Sequence, residues 1–297
     1  MNKISVVLMV YNRKDYYKEA LDNLKEQSDK NFELIIVSNI PIEYDFSAFR
    51  EVNVIPAPSN LLEAYILGME ASKNDIVAFL DDDDRFASYK ISHLKHEDIQ
   101  GYYHNNYYDF GSNEPHNNGK GFNASCIAVN KSVYDGGSIP WENIPNHESI
   151  LRFAKDYPLL GYMPDSAIYW YALENNLSIN IDNTKLTYYR HKPLKKMYSN
   201  ILDSLNRQLS TFQEAEKIFK SNKVKDIIRE GKIQNQIYLN SLGYYKKISI
   251  KDLIWLMRRP VIAKRSKVMS YFLSLPVWHG MGIKFIEKMR KRKMVEE

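Results

Sequence analysis

The chain has 297 residues, enough for one large domain with an appendage or for two modest domains. Hydrophobic residues make up 44% of it, which excludes global disorder, and a single cysteine, Cys126, excludes a disulfide network and a cysteine-based zinc site within one chain. The formal net charge of +5 hides an asymmetry, because residues 246–293 carry 14 Lys and Arg against 2 Asp and Glu, a balance of +12.

The first 80 residues alternate between strand and helix patterns. Continuous apolar runs, which are typical of strands buried on both faces, cover residues 4–10, 32–39, 52–58 and 75–80. Helical spacing of apolar residues predicts helices over residues 14–28 and 61–73. This order predicts a parallel α/β sheet, in which ligands bind beyond the carboxyl ends of the strands.

The rest of the chain is less regular. The polar, aromatic stretch over residues 101–123 predicts a hairpin with a long loop, and residues 124–130 and 184–191 are typical of strands. Apolar residues recur every three or four positions in the segments predicted to be helical. Those segments are residues 164–176, 201–219 and 224–242.

Three polar clusters follow predicted strands, and we expect them to converge at one edge of the sheet. They are Tyr11-Asn12-Arg13, Ser38-Asn39 and the four aspartates of "VAFLDDDDRF", Asp81 to Asp84. Adjacent aspartates repel one another and form poor helix and poor strand, so the simplest interpretation is a solvated acidic turn. Their position after a buried strand favours a divalent cation site instead, because Mg²⁺ and Mn²⁺ prefer oxygen ligands and leave positions for phosphate oxygens.

The segments "VVLMVYNRKDYYKEALDNLKEQ", "FELIIVSN" and "AYILGMEASKNDIVAFLDDDD", in this order, resemble the family 2 glycosyltransferases of the GT-A fold. The resemblance covers residues 1–90 and extends more loosely to about residue 195, through "LTYYRHK". It implies a GT-A-like, Rossmann-like α/β domain over residues 1–195, with a mostly parallel sheet flanked by helices. Residues 1–90 would be its nucleotide-binding half and residues 91–195 its acceptor half, followed by a helical extension over residues 196–297.

The resemblance also implies an activity: inverting transfer of a sugar from a nucleotide-diphosphate donor, with Mn²⁺ or Mg²⁺. Carried over to this sequence, Tyr11 contacts the nucleobase and Asp82 lies near the ribose. Asp83 is the principal metal ligand, and Asp81 completes an Asp-X-Asp motif. His191 matches a basic or imidazole group near the diphosphate and the metal.

Two departures from the family pattern leave alternatives open. The second strand ends in Ser38-Asn39 where a pair of carboxylates is usual, so Asn39 would read the base edge and the nucleotide is not specified. The next helix has Tyr65-Ile66 in place of Arg-Asn. Arg13 is a candidate phosphate ligand or an ordinary solvated charge. The rival functions are a nucleotidyltransferase and a non-catalytic nucleotide-sugar-binding or membrane-surface protein with a decayed site.

An inverting transfer needs a carboxylate that takes the proton of the acceptor hydroxyl. We favour Asp165, in "MPDSAIYWYAL", although an aspartate at the start of a helix is often only a cap. The alternative is Glu148, in "NIPNHESILRF", which is closer to Gly136-Gly137, a pair that resembles the family's Gly-Gly turn.

The basic tail, residues 246–293, mixes aromatic and aliphatic residues with Lys and Arg. It is too interrupted by Pro276, His279 and Lys284 to predict a membrane span, but it fits binding to an anionic membrane surface. The alternative is a helical pair packed on the body of the protein. No nucleic-acid-binding motif accompanies it. We expect a cytoplasmic protein, peripheral on the inner face of the membrane, whose acceptor is a glycan, a lipid-linked molecule or a protein.

Overall fold

The structure, a computed structural model, describes residues 1–14, 16–109, 115–116, 123–134, 154–190, 201–241, 248–249, 251–252 and 255. It divides into two compact units, the first formed by residues 1–193 and 218–221 and the second by residues 194–217 and 222–297. Glu148, His191 and nearly all of the basic tail lie outside the described residues.

The first unit is built around one sheet, in which nine strands are described. Their order is β3-β2-β1-β4-β8-β6-β9-β5, and β7 pairs with β6. Pairing is parallel from β3 to β4 and between β6 and β9, whereas β8, β5 and β7 pair antiparallel with their neighbours. The strands are β1 Ile4–Val10, β2 Glu33–Ser38, β3 Glu51–Pro56, β4 Ile76–Asp81, β5 Arg85–Phe86, β6 Tyr102–Asp109, β7 Pro115–His116, β8 Ile127–Asn130 and β9 Ile179–Tyr189.

The helices of the first unit are α1 Tyr17–Lys25, α2 Leu61–Ala71, α3 Lys90–His96, α4 Lys131–Tyr134 and α5 Pro164–Glu174. The second unit contains nearly all of α6 Ile201–Ile218 and the whole of α7 Asn222–Ser241. Helices α1 and α3 pack their apolar faces on β1, β2 and β4. Helix α2 approaches β1 closely at Gly68, where an added Cβ would overlap the Val7 side chain.

The α/β architecture predicted from the apolar runs is present, with differences in its second half. The parallel pairing is concentrated in the first four strands, because β8 runs antiparallel to both β4 and β6. The predicted strand over residues 124–130 begins with a short 3₁₀ helix, Ala124–Cys126, because the Asn123 side chain accepts a hydrogen bond from the Ser125 N–H (2.8 Å). Strand β9 begins at Ile179 rather than at residue 184.

The second unit contains the predicted amphipathic helices. Buried Leu205 and Leu209 of α6 pack with Leu239 of α7 in a small apolar cluster. Among the residues that the structure describes, no helix combines the length and the apolar character needed to cross a membrane.

Candidate functional site

The three polar clusters that follow β1, β2 and β4 meet at one edge of the sheet. The Tyr11 N–H donates to Asp82 Oδ2 (3.2 Å), which joins the end of β1 to the aspartate run. Asn12 and Asn39 exchange two hydrogen bonds of 2.9 Å, which join the ends of β1 and β2. Asn12 has a φ of 59°, in the left-handed region, which asparagine adopts more easily than most residues. The convergence expected from parallel pairing is therefore present.

Tyr11 is fixed at this edge by its hydroxyl group. Its oxygen lies 2.7 Å from the carbonyl oxygen of Ser59 and 3.0 Å from that of Pro58, in the loop that follows β3. The half-buried Tyr11 is thus held between the end of β1 and that loop, and its contact with a nucleobase stays a prediction.

Three carboxylates of the aspartate run converge. Ligand oxygens of Asp81, Asp83 and Asp84 all lie within 4.8 Å of one another. Three carboxylates are a donor set that suits Mg²⁺ or Mn²⁺, so these residues fit the predicted cation. Asp84 was not among the predicted ligands, and Asp82 turns instead toward Tyr11 and Arg13.

Arg13 is the positive charge closest to the run in the described structure. Its Nη1 lies 3.1 Å from Asp82 Oδ1, and it forms a second ion pair with Asp83. Burial lowers the pKa of the Arg13 guanidinium, but the charges of Asp83, Asp82 and Asp81 outweigh this effect and raise it. Arg13 therefore neutralises part of the charge that a bound cation would neutralise.

Ser125 and Arg190, from distant parts of the chain, hold the turn that contains the run. The Ser125 hydroxyl donates to Asp84 Oδ2 (2.6 Å) and accepts from the Asp81 N–H (2.9 Å). The Arg190 N–H donates to Asp84 Oδ1 (2.8 Å), and its Nε donates to the carbonyl oxygen of Asp83 (2.9 Å). These bonds fix the backbone and one carboxylate before any ligand is bound.

The buried carboxylates of the run have raised pKa values. Burial raises the pKa of Asp82 to about 7, and Arg13 opposes part of this rise. Burial and the neighbouring charge of Asp81 raise the pKa of Asp84 above its usual range. Carboxylates whose pKa values are shifted by burial and by like charges are typical of functional sites.

Asp165, the favoured base, lies in the first turn of α5. Its half-buried carboxylate accepts a hydrogen bond from the Ser166 N–H at Oδ1 (2.8 Å), and the N-cap residue of the helix is Met163. Burial, together with the charge of Asp81, raises the pKa of Asp165 to about 6. The charge of Asp81 thus acts on the favoured base, whereas the alternative base Glu148 and the predicted ligand His191 lie outside the described residues.

Two further side chains lie behind the run, and neither was predicted as a site residue from the sequence. Tyr65 of α2 is buried, and its hydroxyl donates to Asp81 Oδ1. Lys90 of α3 is also buried, and its Nζ donates to the Ser125 carbonyl oxygen (2.6 Å) and to Thr187 Oγ1 (3.2 Å). Burial lowers the pKa of Lys90 to about 7. Arg190 had a weak signal, since it stands beside His191 in the segment "TYYRH".

The ion pairs of Arg13 lead to a testable expectation. Replacement of Arg13 by Gln should strengthen the binding of Mn²⁺ alone by about threefold, because a partly exposed competing charge is worth under about 1 kcal/mol. Titration of Mn²⁺ followed by electron paramagnetic resonance measures this affinity. Lys18→Gln, which removes an exposed charge from α1, is the matched control and should have no effect. Unchanged or weaker Mn²⁺ binding by Arg13→Gln would show that Arg13 does not compete with a cation.

Comparison with known proteins gives two sequence matches. Residues 5–123 match the family described as "Glycosyl transferase family 2". A protein of Haemophilus influenzae, described as an uncharacterized glycosyltransferase, is 36% identical over 90 residues, which cover 28% of this chain and 30% of that protein. The likeness therefore spans less than a third of that curated relative.

Solved structures match over nearly the whole chain. S. aureus TarS 1–349 has a TM-score of 0.54 and 12% identity, covering 98% of this chain and 92% of that one. Its complex with UDP-GlcNAc has a TM-score of 0.53, 13% identity and the same coverage. The mannosyltransferase PcManGT from Pyrobaculum calidifontis, in complex with GDP-Man and Mn²⁺, has a TM-score of 0.51 and 11% identity. The match covers 95% of this chain and 87% of that one. At these identities the likeness concerns the fold, and the predicted GT-A-like fold is confirmed.

Proposed function

We propose that this chain, whose residues 5–123 match the family 2 glycosyl transferases, moves a sugar from a nucleotide-diphosphate donor to an acceptor hydroxyl group with inversion. The observation that carries the proposal is the convergence of Asp81, Asp83 and Asp84 at the end of β4. TarS has been crystallised with UDP-GlcNAc, and PcManGT with GDP-Man and Mn²⁺, which supports this class of donor and a divalent cation.

Donor binding is assigned to the groups at the ends of β1 and β2. The Tyr11 ring contacts the nucleobase, and Asn39 reads its edge. The hydrogen bonds with Asn12 use one N–H and one lone pair of the Asn39 amide, so a second N–H and a second lone pair remain for the base. Asp82 accepts from the ribose, and Arg13 turns from the carboxylates to the phosphates.

The cation site is assigned to Asp81, Asp83 and Asp84, with His191 as a further predicted ligand. A bound Mn²⁺ or Mg²⁺ supplies neutralisation of the negative charge that develops on the departing diphosphate. Ser125 and Arg190 keep the carboxylates in place, because they hold both the backbone of the run and the Asp84 side chain. A preorganised site avoids the cost of gathering like charges when the donor arrives.

Asp165 is assigned the role of general base. The Ser166 N–H donates to Oδ1 and helps to orient the carboxylate, which takes the proton of the acceptor hydroxyl. With a pKa of about 6, the carboxylate is ionised at neutral pH yet more basic than an exposed aspartate. A base whose pKa lies close to the working pH is the most effective, which favours Asp165 over a fully solvated carboxylate.

A screen of nucleotide sugars by thermal shift, with and without Mn²⁺, tests the proposal. A donor present at 100 times its Kd should stabilise the protein by about 2.7 kcal/mol. The stabilising donor should then release nucleoside diphosphate in the presence of the acceptor. Formation or consumption of pyrophosphate would indicate a nucleotidyltransferase, and stabilisation without turnover of any donor would indicate a binding protein with a decayed site.

The basic tail, residues 246–293, supports an additional proposal about location. A balance of +12 would hold the protein at an anionic membrane surface, since each Lys or Arg near such a surface contributes about 1 kcal/mol. We propose that the enzyme is cytoplasmic and works at the inner face of the membrane, where lipid-linked acceptors are accessible.

Truncation after Leu242 should lower sedimentation with anionic vesicles by about tenfold or more at low salt, because the basic charges are removed. Donor hydrolysis should continue, since the assigned site lies within residues 11–191. Vesicle sedimentation of both forms at low and high salt measures the effect. If both forms sediment equally and independently of salt, the tail is a structural element.

A further inference from the structure

Tyr65 makes a contact that its sequence pattern does not reveal. It lies in α2 among apolar residues and is 1% exposed, so a phenylalanine would satisfy the apolar environment. Its ring packs edge-on against Phe79, with 5.1 Å between ring centroids. Its hydroxyl, however, donates to Asp81 Oδ1, at the end of the neighbouring strand β4. The only polar atom of this side chain is therefore directed at a carboxylate of the candidate cation site.

The bond to Tyr65 complements the contact that Ser125 makes with Asp81. Ser125 Oγ accepts from the Asp81 N–H and so fixes the backbone of this residue. Tyr65 fixes its side chain. Three carboxylates with ligand atoms within 4.8 Å repel one another, and an aspartate with a free rotamer would swing away from the other two. A neutral hydroxyl donor from the core prevents this without adding a positive charge that would compete with a cation.

We propose that Tyr65 is a positioning residue for the cation site, which holds the Asp81 carboxylate in the orientation that a divalent cation requires. The inference rests on the proposed function, since it assigns Tyr65 to the same site. Hydrogen bonds to the ligands of a metal orient them, and loss of such a bond typically lowers metal affinity by about 10- to 100-fold. Tyr65 acts through Asp81 and makes no contact with the reacting atoms.

The test is the affinity for Mn²⁺ alone, measured by electron paramagnetic resonance of the free ion. Tyr65→Phe keeps the ring against Phe79 and should bind Mn²⁺ about 10- to 100-fold more weakly than the wild type. Tyr44→Phe is the matched control: the Tyr44 hydroxyl also donates to a carboxylate, Asp22 Oδ1 (2.6 Å), which belongs to neither group of candidate metal ligands in the described structure. This variant should bind Mn²⁺ as tightly as the wild type.

A third variant separates the hydroxyl group from packing. Tyr65→Leu removes the ring as well and should lower the Tm, but it should weaken Mn²⁺ binding by the same factor as Tyr65→Phe. If Tyr65→Phe binds Mn²⁺ like the wild type, or no more weakly than Tyr44→Phe does, the inference is wrong. It is equally wrong if the wild type binds no Mn²⁺, or if only Tyr65→Leu loses affinity.

The outcome for Tyr65 is distinguishable from that for the proposed function. Weaker Mn²⁺ binding by Tyr65→Phe, in a protein that transfers no sugar from any donor, would keep the positioning role and refute the glycosyltransferase proposal. Sugar transfer by the wild type, together with unchanged Mn²⁺ binding by Tyr65→Phe, would support the glycosyltransferase proposal and refute the positioning role of Tyr65.

Discussion

Replacement of Asp165 by Asn should lower the rate of sugar transfer by at least about 100-fold, because general bases contribute about 10²–10⁴-fold to such reactions. Asparagine keeps the size of the side chain and an oxygen that accepts from the Ser166 N–H, so the start of α5 should be preserved. It cannot take a proton at neutral pH. The donor is assigned to groups at the ends of β1, β2 and β4, so its affinity should change little. Initial rates and donor titrations measure the two effects separately.

Two variants control this result. Asp203→Asn makes the same change in the first turn of α6, in the other unit, and should leave transfer unchanged. Glu148→Gln tests the alternative base. If Asp165→Asn keeps most of its activity and Glu148→Gln loses it, Glu148 is the base and Asp165 is structural.

The same assignment predicts a pH dependence. Burial raises the pKa of Asp165 to about 6, and only the ionised carboxylate can accept the proton of the acceptor. With saturating Mn²⁺ and donor, which keep Asp82 and Asp84 ionised, transfer should therefore rise with pH up to about 6 and level off above it. The limb below pH 6 should be absent from the residual activity of Asp165→Asn, which lacks the titrating group. A rate that is independent of pH in this range in the wild type would argue against Asp165.

The parallel half of the fold and the meeting of its strand ends could be predicted because both follow from local pattern. Continuous apolar runs such as residues 4–10 indicate strands buried on both faces, and parallel strands place their carboxyl ends at one edge. Tyr11, Asn39 and the aspartate run therefore had to lie close together once the strands were identified. The second half was less predictable, because the start of β9, "INIDNTK", is mostly polar and its apolar–polar alternation ends after four residues.

The supporting residues of the site could not be predicted because their roles depend on contacts between distant segments. Ser125 is 44 positions away in sequence from Asp81, the residue that it contacts. Tyr65 lies in an apolar helical pattern, in which any large core residue would fit equally well. Within the run itself, four identical side chains give no sign of which ones converge. The turn after β4 decides this, and it places Asp84 with Asp81 and Asp83.

Replacement of Asp83 by Ala should abolish the coupling between Mn²⁺ and nucleoside diphosphate binding. Loss of a bond that merely orients a ligand costs about 10- to 100-fold in metal affinity, so loss of a direct ligand should cost at least about 100-fold. In the wild type, three carboxylates leave about half of the cation's six positions to water or to phosphate oxygens, so Mn²⁺ should bind weakly alone and more tightly with nucleotide. Calorimetry of Mn²⁺ binding, with and without nucleoside diphosphate, measures this coupling.

The second group of candidate metal ligands, His93, Glu97 and Asp182, provides the control for Asp83→Ala. Glu97→Gln alters that group alone and should keep the full coupling, because its members come from α3, the residue that follows it and β9 rather than from the aspartate run. If the coupling survives in Asp83→Ala but disappears in Glu97→Gln, the cation that binds together with the nucleotide lies at the second group and not at the aspartate run. Coupling that survives in both variants would refute Asp83 as the ligand that joins the cation to the donor.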